Sequence, residues 1–473
     1  MELNPTYNNL FGKVEHESDM GTLVTNFTLI RGGALHRANG GYLIIPLKDL
    51  LLNYFAWDGL KRALKNNEVI IEDASERFGF MSTKSLKPDP IPLNVKIILI
   101  GSPWMYHLLY NWDEDFKELF KVKAEFDTSM DYSVANERDF ASVIFKIQNE
   151  NDLLPIDHKG ISLLVEQSCR IAEDQNKISI RFGELSDILF EANHYAQLAS
   201  KKHISSNEID KAIEAKFYRS NLIQEKINEL IKRQTLMIEL EGVKTGQING
   251  ISVINLGDFM FGHPNKITVN VSSGKEGLID IEREAKLGGR LHTKGVLILS
   301  GYIGQKYGQN KAISLFASLV FEQSYSEIEG DSASSAELYA ILSAISQLPI
   351  KQYIAVSGSV NQKGEIQPVG AINEKIEGFF EACRQRGFND EQGVMIPKGN
   401  MDHLMLKKEV VKAVEKGKFH IWAIDTIDEG IELLTGRPAG KRLKNGSFSK
   451  DSVHYLVDKR IESLNKNLTV KAK

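Results

Sequence analysis

Two cysteines in 473 residues, Cys169 and Cys383, are too few for a disulfide framework, and no Cys/His group has zinc-ligand spacing. No apolar run approaches the ~18–20 residues that span a bilayer. The opening Met-Glu-Leu-Asn-Pro-Thr-Tyr has neither the basic nor the apolar region of a signal peptide. A cytoplasmic location without a membrane partner is therefore expected. Neither charge is in excess: 58 Lys and Arg against 62 Asp and Glu leave a net −4, which gives no electrostatic reason to expect a nucleic-acid partner. A phosphate loop of the pattern Gly-x-x-x-x-Gly-Lys-[Ser/Thr] does not occur. What remains is an ordinary globular composition, long enough for two to four domains.

The informative residues are concentrated in Gly330–Lys375. Gly330-Asp331-Ser332-Ala333-Ser334-Ser335-Ala336-Glu337 is a glycine turn with short polar residues. It precedes an apolar period of Leu338, Ile341, Leu342, Ile345 and Leu348, which predicts a helix starting near Ser332 or Ala333. A serine there meets free N–H groups and the positive end of the helix dipole, donors that can also hold the oxyanion of acyl transfer. Its bland role is a helix cap, and spacing alone does not choose among Ser332, Ser334 and Ser335. A second helix is predicted up to Gly387, with Ile372, Ile376, Phe379 and Cys383 as its buried stripe and Lys375 on the border. Such a lysine would ordinarily snorkel to water. Desolvated, its charged form is penalised, and a lysine neutral near pH 7 can take a serine's proton.

Five motifs occur in order: the Gly-Asp-Ser-Ala-Ser run, Val356-Ser357-Gly358-Ser359-Val360, the Gly364–Gly370 hairpin, Asn373-Glu374-Lys375-Ile376-Glu377-Gly378, and Ile396-Pro397-Lys398. Together they resemble the proteolytic domain of the Lon family of Ser–Lys peptidases, in the branch with a divergent AAA+ module. The resemblance covers roughly Gly246–Gly436. It implies Ser332 as nucleophile and Lys375 as general base. Ser357 stands where the family usually has a threonine that hydrogen-bonds the lysine. The implied activity is a serine endopeptidase degrading unfolded or flexible polypeptides inside a homo-hexameric ring.

Asn9-Leu10-Phe11-Gly12 and Leu35-His36-Arg37-Ala38-Asn39-Gly40-Gly41, with the buried strand Tyr42–Ile45 after them, resemble the AAA+ module of Lon-related proteases just before its Walker B strand. The acidic pair that would hold Mg²⁺ is replaced by Pro46 and Leu47, which cannot bind a cation. Asp49 is out of register and reads as a helix-start residue. Val95–Ile100 is expected as a second continuous buried strand, followed by Ser102 at the place of a γ-phosphate sensor. Where an arginine finger is usual there are only Lys117, Lys121 and Lys123, point charges without the planar fork. No cofactor is therefore required by the chain as given. The rival expectation is an ATP-dependent protease whose phosphate loop lies upstream of residue 1, and a non-enzymatic scaffold is the third reading. Phe11, Met20, Phe78 and Phe80 are candidate pore residues. Arg181 falls at the lid's nucleotide-sensing arginine, with a surface ion pair as its alternative.

The expected architecture is α/β and multidomain. A partial AAA+ α/β subdomain covers 1–128, a helical lid 129–237 with a Ser205/Glu208 capping box, an α/β proteolytic domain 246–436, and a basic tail 437–473. Glu239–Gly246 reads as the linker, Gly295–Ile303 as a strand and Lys311–Phe321 as a helix. His292 is expected at a strand start, tempting as a base but outside the dyad.

Overall fold

The structure, a computed structural model, describes residues 1–19, 22–72 and 86–471. It divides into two compact units, Met1–Phe126 and Asp127–Lys473.

In the first unit, strands Tyr42–Pro46 and Lys96–Ile100 pair in parallel. One face is covered by a core that includes Leu10, Phe11, Leu35, Ile45, Leu50 and Trp57. The two glycine-containing motifs belong to that packing: a Cβ on Gly33 would lie 2.3 Å from the Leu10 carbonyl oxygen, so only glycine permits this backbone approach. Phe11 is buried and stacks on Tyr7, so it is a core residue rather than a pore residue. Met20, Phe78 and Phe80 lie outside the described residues. Lys96–Ile100 is not continuously buried. Ile98 and Ile100 are exposed, because among the described residues helices cover only the opposite face of the pair. Pro46 ends its strand and precedes helix Leu47–Leu52, whose first turn contains Asp49. Ser102 caps helix Pro103–Trp112 by accepting from the Met105 N–H.

The second unit begins with five helices: Val134–Glu150, His158–Ala172, Phe182–Leu198, Ser206–Ser220 and Leu222–Lys232. The capping box is present, with Glu208 accepting from the Ser205 N–H. The last two of these helices are separated by a break at Asn221. The linker is not free. Leu240 is buried and Val243–Lys244 pairs antiparallel with Ile350–Lys351.

Beyond it a seven-stranded mixed sheet runs, edge to edge, Gly277–Asp280, Phe316–Phe321, Met260–Ser272, Gln247–Asn255, Ile354–Val356, Gly393–Pro397 and His420–Ile424. Side-chain alternation sends Met395 and Val356 to one core, and Val394, Ile396 and Ala355 to the other. Helix Ser334–Ser346 lies in the first core with every residue buried, and helix Ile372–Arg386 in the second. Two expected elements are corrected. Gly295–Ile303 is part of helix Arg290–Tyr307, its buried Val296, Leu299 and Ile303 spaced by three and four. A short apolar run leaves helix and strand unresolved by periodicity. Lys311–Phe321 is a loop and then strand Phe316–Phe321, with Ala317, Leu319 and Phe321 buried at period two.

Basic residues after Gly436 lead into helix Val453–Lys471, whose Val453, Val457, Ile461 and Leu464 join the first core. Buried His454 accepts from the Tyr307 hydroxyl at Nδ1 (2.6 Å) and donates to Asp428 at Nε2 (2.9 Å). Among the described residues no helix is long and apolar enough to cross a membrane.

Candidate active site

The Ser332 turn is held from the outside. Gly330 adopts φ +91°, and helix geometry begins at Ser334. The strand end Ser357–Val360 clamps the turn. Gly358 N–H donates to the Ser332 carbonyl (2.8 Å), Ser335 N–H to the Gly358 carbonyl (3.1 Å), and Ser359 Oγ to Asp331 Oδ2 (2.9 Å). This arrangement separates the three candidate serines. Ser334 is buried, its Oγ accepting from the Val360 N–H, and Ser335 is equally buried. Ser332 is half-buried and is the one of the three that a substrate can reach. The Ser332 and Ala333 N–H groups donate to no acceptor among the described residues.

Lys375 lies in the first turn of helix Ile372–Arg386, only 4 % exposed. The helix runs close against strand Met260–Ser272. A Cβ on Gly262 would be 2.7 Å from Lys375 Cα, and one on Gly378 would be 2.0 Å from the Gly262 carbonyl oxygen. Two glycines thus let the helix press its backbone onto the strand, which keeps water from the lysine stem. Burial depresses Lys375 to about 8, with the Asp331 charge pulling in the other direction. Its Nζ has no hydrogen bond or ion pair among the described residues, and no hydrogen bond joins it to Ser332. Ser357 Oγ is buried and also without a partner there. The resemblance carried by Asn373–Gly378 is what singled out Lys375 in the sequence; Gly262 offers no signal there beyond a glycine inside a strand pattern.

The lysine helix is also tied to the helical segment. Arg170, on helix His158–Ala172, donates to both carboxylate oxygens of Glu377 (2.6 and 2.8 Å) and to the Met405 carbonyl (2.6 Å). Glu374 is a further 3.8 Å neighbour. Behind the Ser332 turn lies a second charged group. His292, in the first turn of its helix and not at a strand start, is buried with Asp280, Glu282 and Glu337. Burial opposes charging of His292, yet Asp280 and Glu337 outweigh it and hold its pKa above the ordinary value.

Three family models match the chain. The model for the Lon protease (S16) C-terminal proteolytic domain matches residues 326–436, which contain Ser332, Ser357 and Lys375. The LonB-like AAA domain matches 1–127, and the archaeal LonB AAA+ ATPase LID domain 155–219. The chain is 35% identical over 415 residues to a Lon protease homolog of Escherichia coli, covering 86% of this chain and 68% of that protein.

The chain belongs to the Lon protease family.

A Lon protease homolog of Haemophilus influenzae is 32% identical over 438 residues, covering 91% of this chain and 70% of its own length. An archaeal Lon protease of Pyrococcus abyssi is 24% identical over 407 residues, covering 85% and 38%. The proteolytic part is thus a Lon-type peptidase domain, preceded by AAA-like and lid segments. Within those segments of this Lon-family chain, Arg181 is half exposed and 3.6 Å from Glu184, a surface ion pair. Lys117 lies over the Tyr110 ring at 4.6 Å and Lys123 bonds Glu125 at 2.9 Å.

Proposed function

We propose that this chain is a Ser–Lys endopeptidase of unfolded or flexible polypeptides that cleaves without ATP hydrolysis of its own. The desolvated Lys375 carries the reading. A buried amine depressed to about 8 and free of any anionic partner within ion-pair distance is a base in waiting, not a structural cation. Ser332 Oγ attacks the peptide carbonyl as Lys375 Nζ takes its proton. The free N–H groups of Ser332 and Ala333 receive the oxyanion, and Lys375 then protonates the leaving amine. Water resolves the acyl-enzyme by the reverse sequence. Ser357 Oγ orients the lysine. ATP independence is supported by Pro46 and Leu47 at the cation-binding places and by Ser102 spending its hydroxyl on a helix cap. A homo-hexameric ring, as the family resemblance implies, would restrict entry to unfolded chains, and its place would be the cytoplasm.

Casein degradation with and without ATP–Mg²⁺ tests the proposal. Cleavage independent of ATP, and lost in Ser332→Ala while Ser334→Ala retains it, is the expected result. ATP-dependent cleavage would favour the rival ATP-driven reading, and cleavage surviving Ser332→Ala would remove the nucleophile assignment.

Asp331 gives a second prediction. Its charge favours the protonated lysine, so Asp331→Asn should move the rising limb of the kcat/KM–pH profile to lower pH. A limb that stays in place or moves up would show that this charge does not act on the base.

A further inference from the structure

We propose that Asp280, Glu282 and His292 bind one divalent transition-metal ion, zinc or manganese, with Glu337 as the outer carboxylate that orients the histidine. Asp280 ends strand Gly277–Asp280, Glu282 follows it, and His292 comes from the first turn of helix Arg290–Tyr307. One donor atom from each lies within 4.8 Å of the other two. Ligands at ~2.1 Å from a common ion are separated by ~3–4 Å, so a small inward movement closes the sphere.

The hydrogen bonding of these groups points the same way. Both Asp280 carboxylate oxygens, Glu282 Oε2 and His292 Nε2 are buried with no hydrogen-bond partner among the described residues. Glu282 Oε1 alone is engaged, accepting from the Phe321 N–H at 2.8 Å. The 3.1 Å contact between His292 Nε2 and Asp280 Oδ2 lacks hydrogen-bond alignment. Buried polar atoms are normally satisfied. Here the unsatisfied ones are the inward-facing atoms of three adjacent residues.

Glu337 supplies an independent observation. It comes from helix Ser334–Ser346, is 1 % exposed, and has neither oxygen hydrogen-bonded among the described residues. Its Oε1 is 3.6 Å from His292 Nδ1, on the ring edge away from the three donors. A carboxylate at the far nitrogen of a metal-binding histidine is the usual second partner that fixes tautomer and ring orientation. Among the described residues no lysine or arginine pairs with any of the four, so His292 is the one basic side chain facing the three carboxylates. Nitrogen with carboxylate oxygen suits zinc or manganese better than magnesium. Burial of all four puts the ion out of reach of a polypeptide, so its role is to fasten the nucleophile helix to the sheet edge.

Metal analysis of the full chain, purified without chelator and then equilibrated with Zn²⁺ or Mn²⁺, should find close to one tightly held ion per chain. Either ion should raise Tm by several degrees in a manner reversed by EDTA. Glu282→Gln and His292→Gln should each lose the ion and the shift. A wild-type chain that retains no ion, and whose Tm ignores Zn²⁺ and Mn²⁺, overturns the site in favour of shared protons. Retention of the ion by both variants also overturns it. Should the variants not fold, Co²⁺ loaded into the wild-type chain decides. A visible absorption spectrum with nitrogen and oxygen ligation at one equivalent supports the site, and the spectrum of hydrated Co²⁺ refutes it. None of these readouts depends on peptidase activity, so the site can fail while the dyad stands.

Discussion

Replacing Lys375 by methionine should abolish peptide cleavage and at the same time make the protein more stable. A positioned general base contributes about 10²–10⁴ in rate, so kcat/KM in Lys375→Met is expected to fall roughly 10³-fold. Wild-type kcat/KM should rise with pH through about 8, because the unprotonated amine, populated above that value, is the active form. The stability arm follows from linkage. The folded lysine titrates at about 8 and the ordinary one at 10.5. Between those values the unfolded chain binds more protons, so wild-type stability rises with pH there. Below about pH 8 the full cost of holding a buried ammonium is present, on the order of 3 kcal/mol at about 1.4 kcal/mol per pKa unit. Methionine has a similar stem and no charge, so Tm at pH 7 should increase. Lys375→Arg should be inactive without the gain. Cleavage by Lys375→Met within about tenfold of wild type, or a lowered Tm, would refute the assignment of Lys375 as a desolvated base.

Arg170→Met should have the largest effect on the fold. Removing the guanidinium leaves Glu377 and Glu374 on the lysine helix with their principal cationic partner gone. Breaking one side of a buried pair costs about 3–5 kcal/mol, and the partial exposure of Arg170 puts the expectation near the lower end, ~3 kcal/mol. The double variant Arg170→Met/Glu377→Gln should recover part of that loss, since only the more distant Glu374 then lacks the guanidinium. Urea denaturation of the two singles and the double forms the required cycle. Additive losses would mean that the pair is not coupled and that the helical segment is held by its other links, such as Gln175 to the Met401 and Leu404 carbonyls and Lys408 to Asp210.

Much of this was legible in residue order. Ser332, Ser357 and Lys375 lie in motifs local to the chain, and Lys375 lies on a helix with a clear buried stripe and a stop at Gly387. The start of helix Ser206–Ser220 followed from its Ser205/Glu208 capping box. The two elements given the wrong secondary structure share one cause. Val296–Ile303 and Ala312–Phe321 are short apolar stretches whose state is decided by neighbours far away in sequence. The same applies to the site's support. Gly262 and Gly378 are 116 positions apart (378 − 262) yet share one contact. Asp280, Glu282, His292 and Glu337 come from separate elements. A search by Cys/His spacing passes over a cluster made mainly of carboxylates.

Helix Ser334–Ser346, buried on every side, also limits how the enzyme could be re-engineered. None of its thirteen positions can be recruited to contact a new substrate, and each replacement must respect close-packed neighbours. Altered cleavage preference would have to be installed elsewhere: on the half-buried turn before the helix, or on the hairpin Ser359–Gln367 beside it. The helix behaves as a fixed mandrel on which specificity can be wound but into which it cannot be cut.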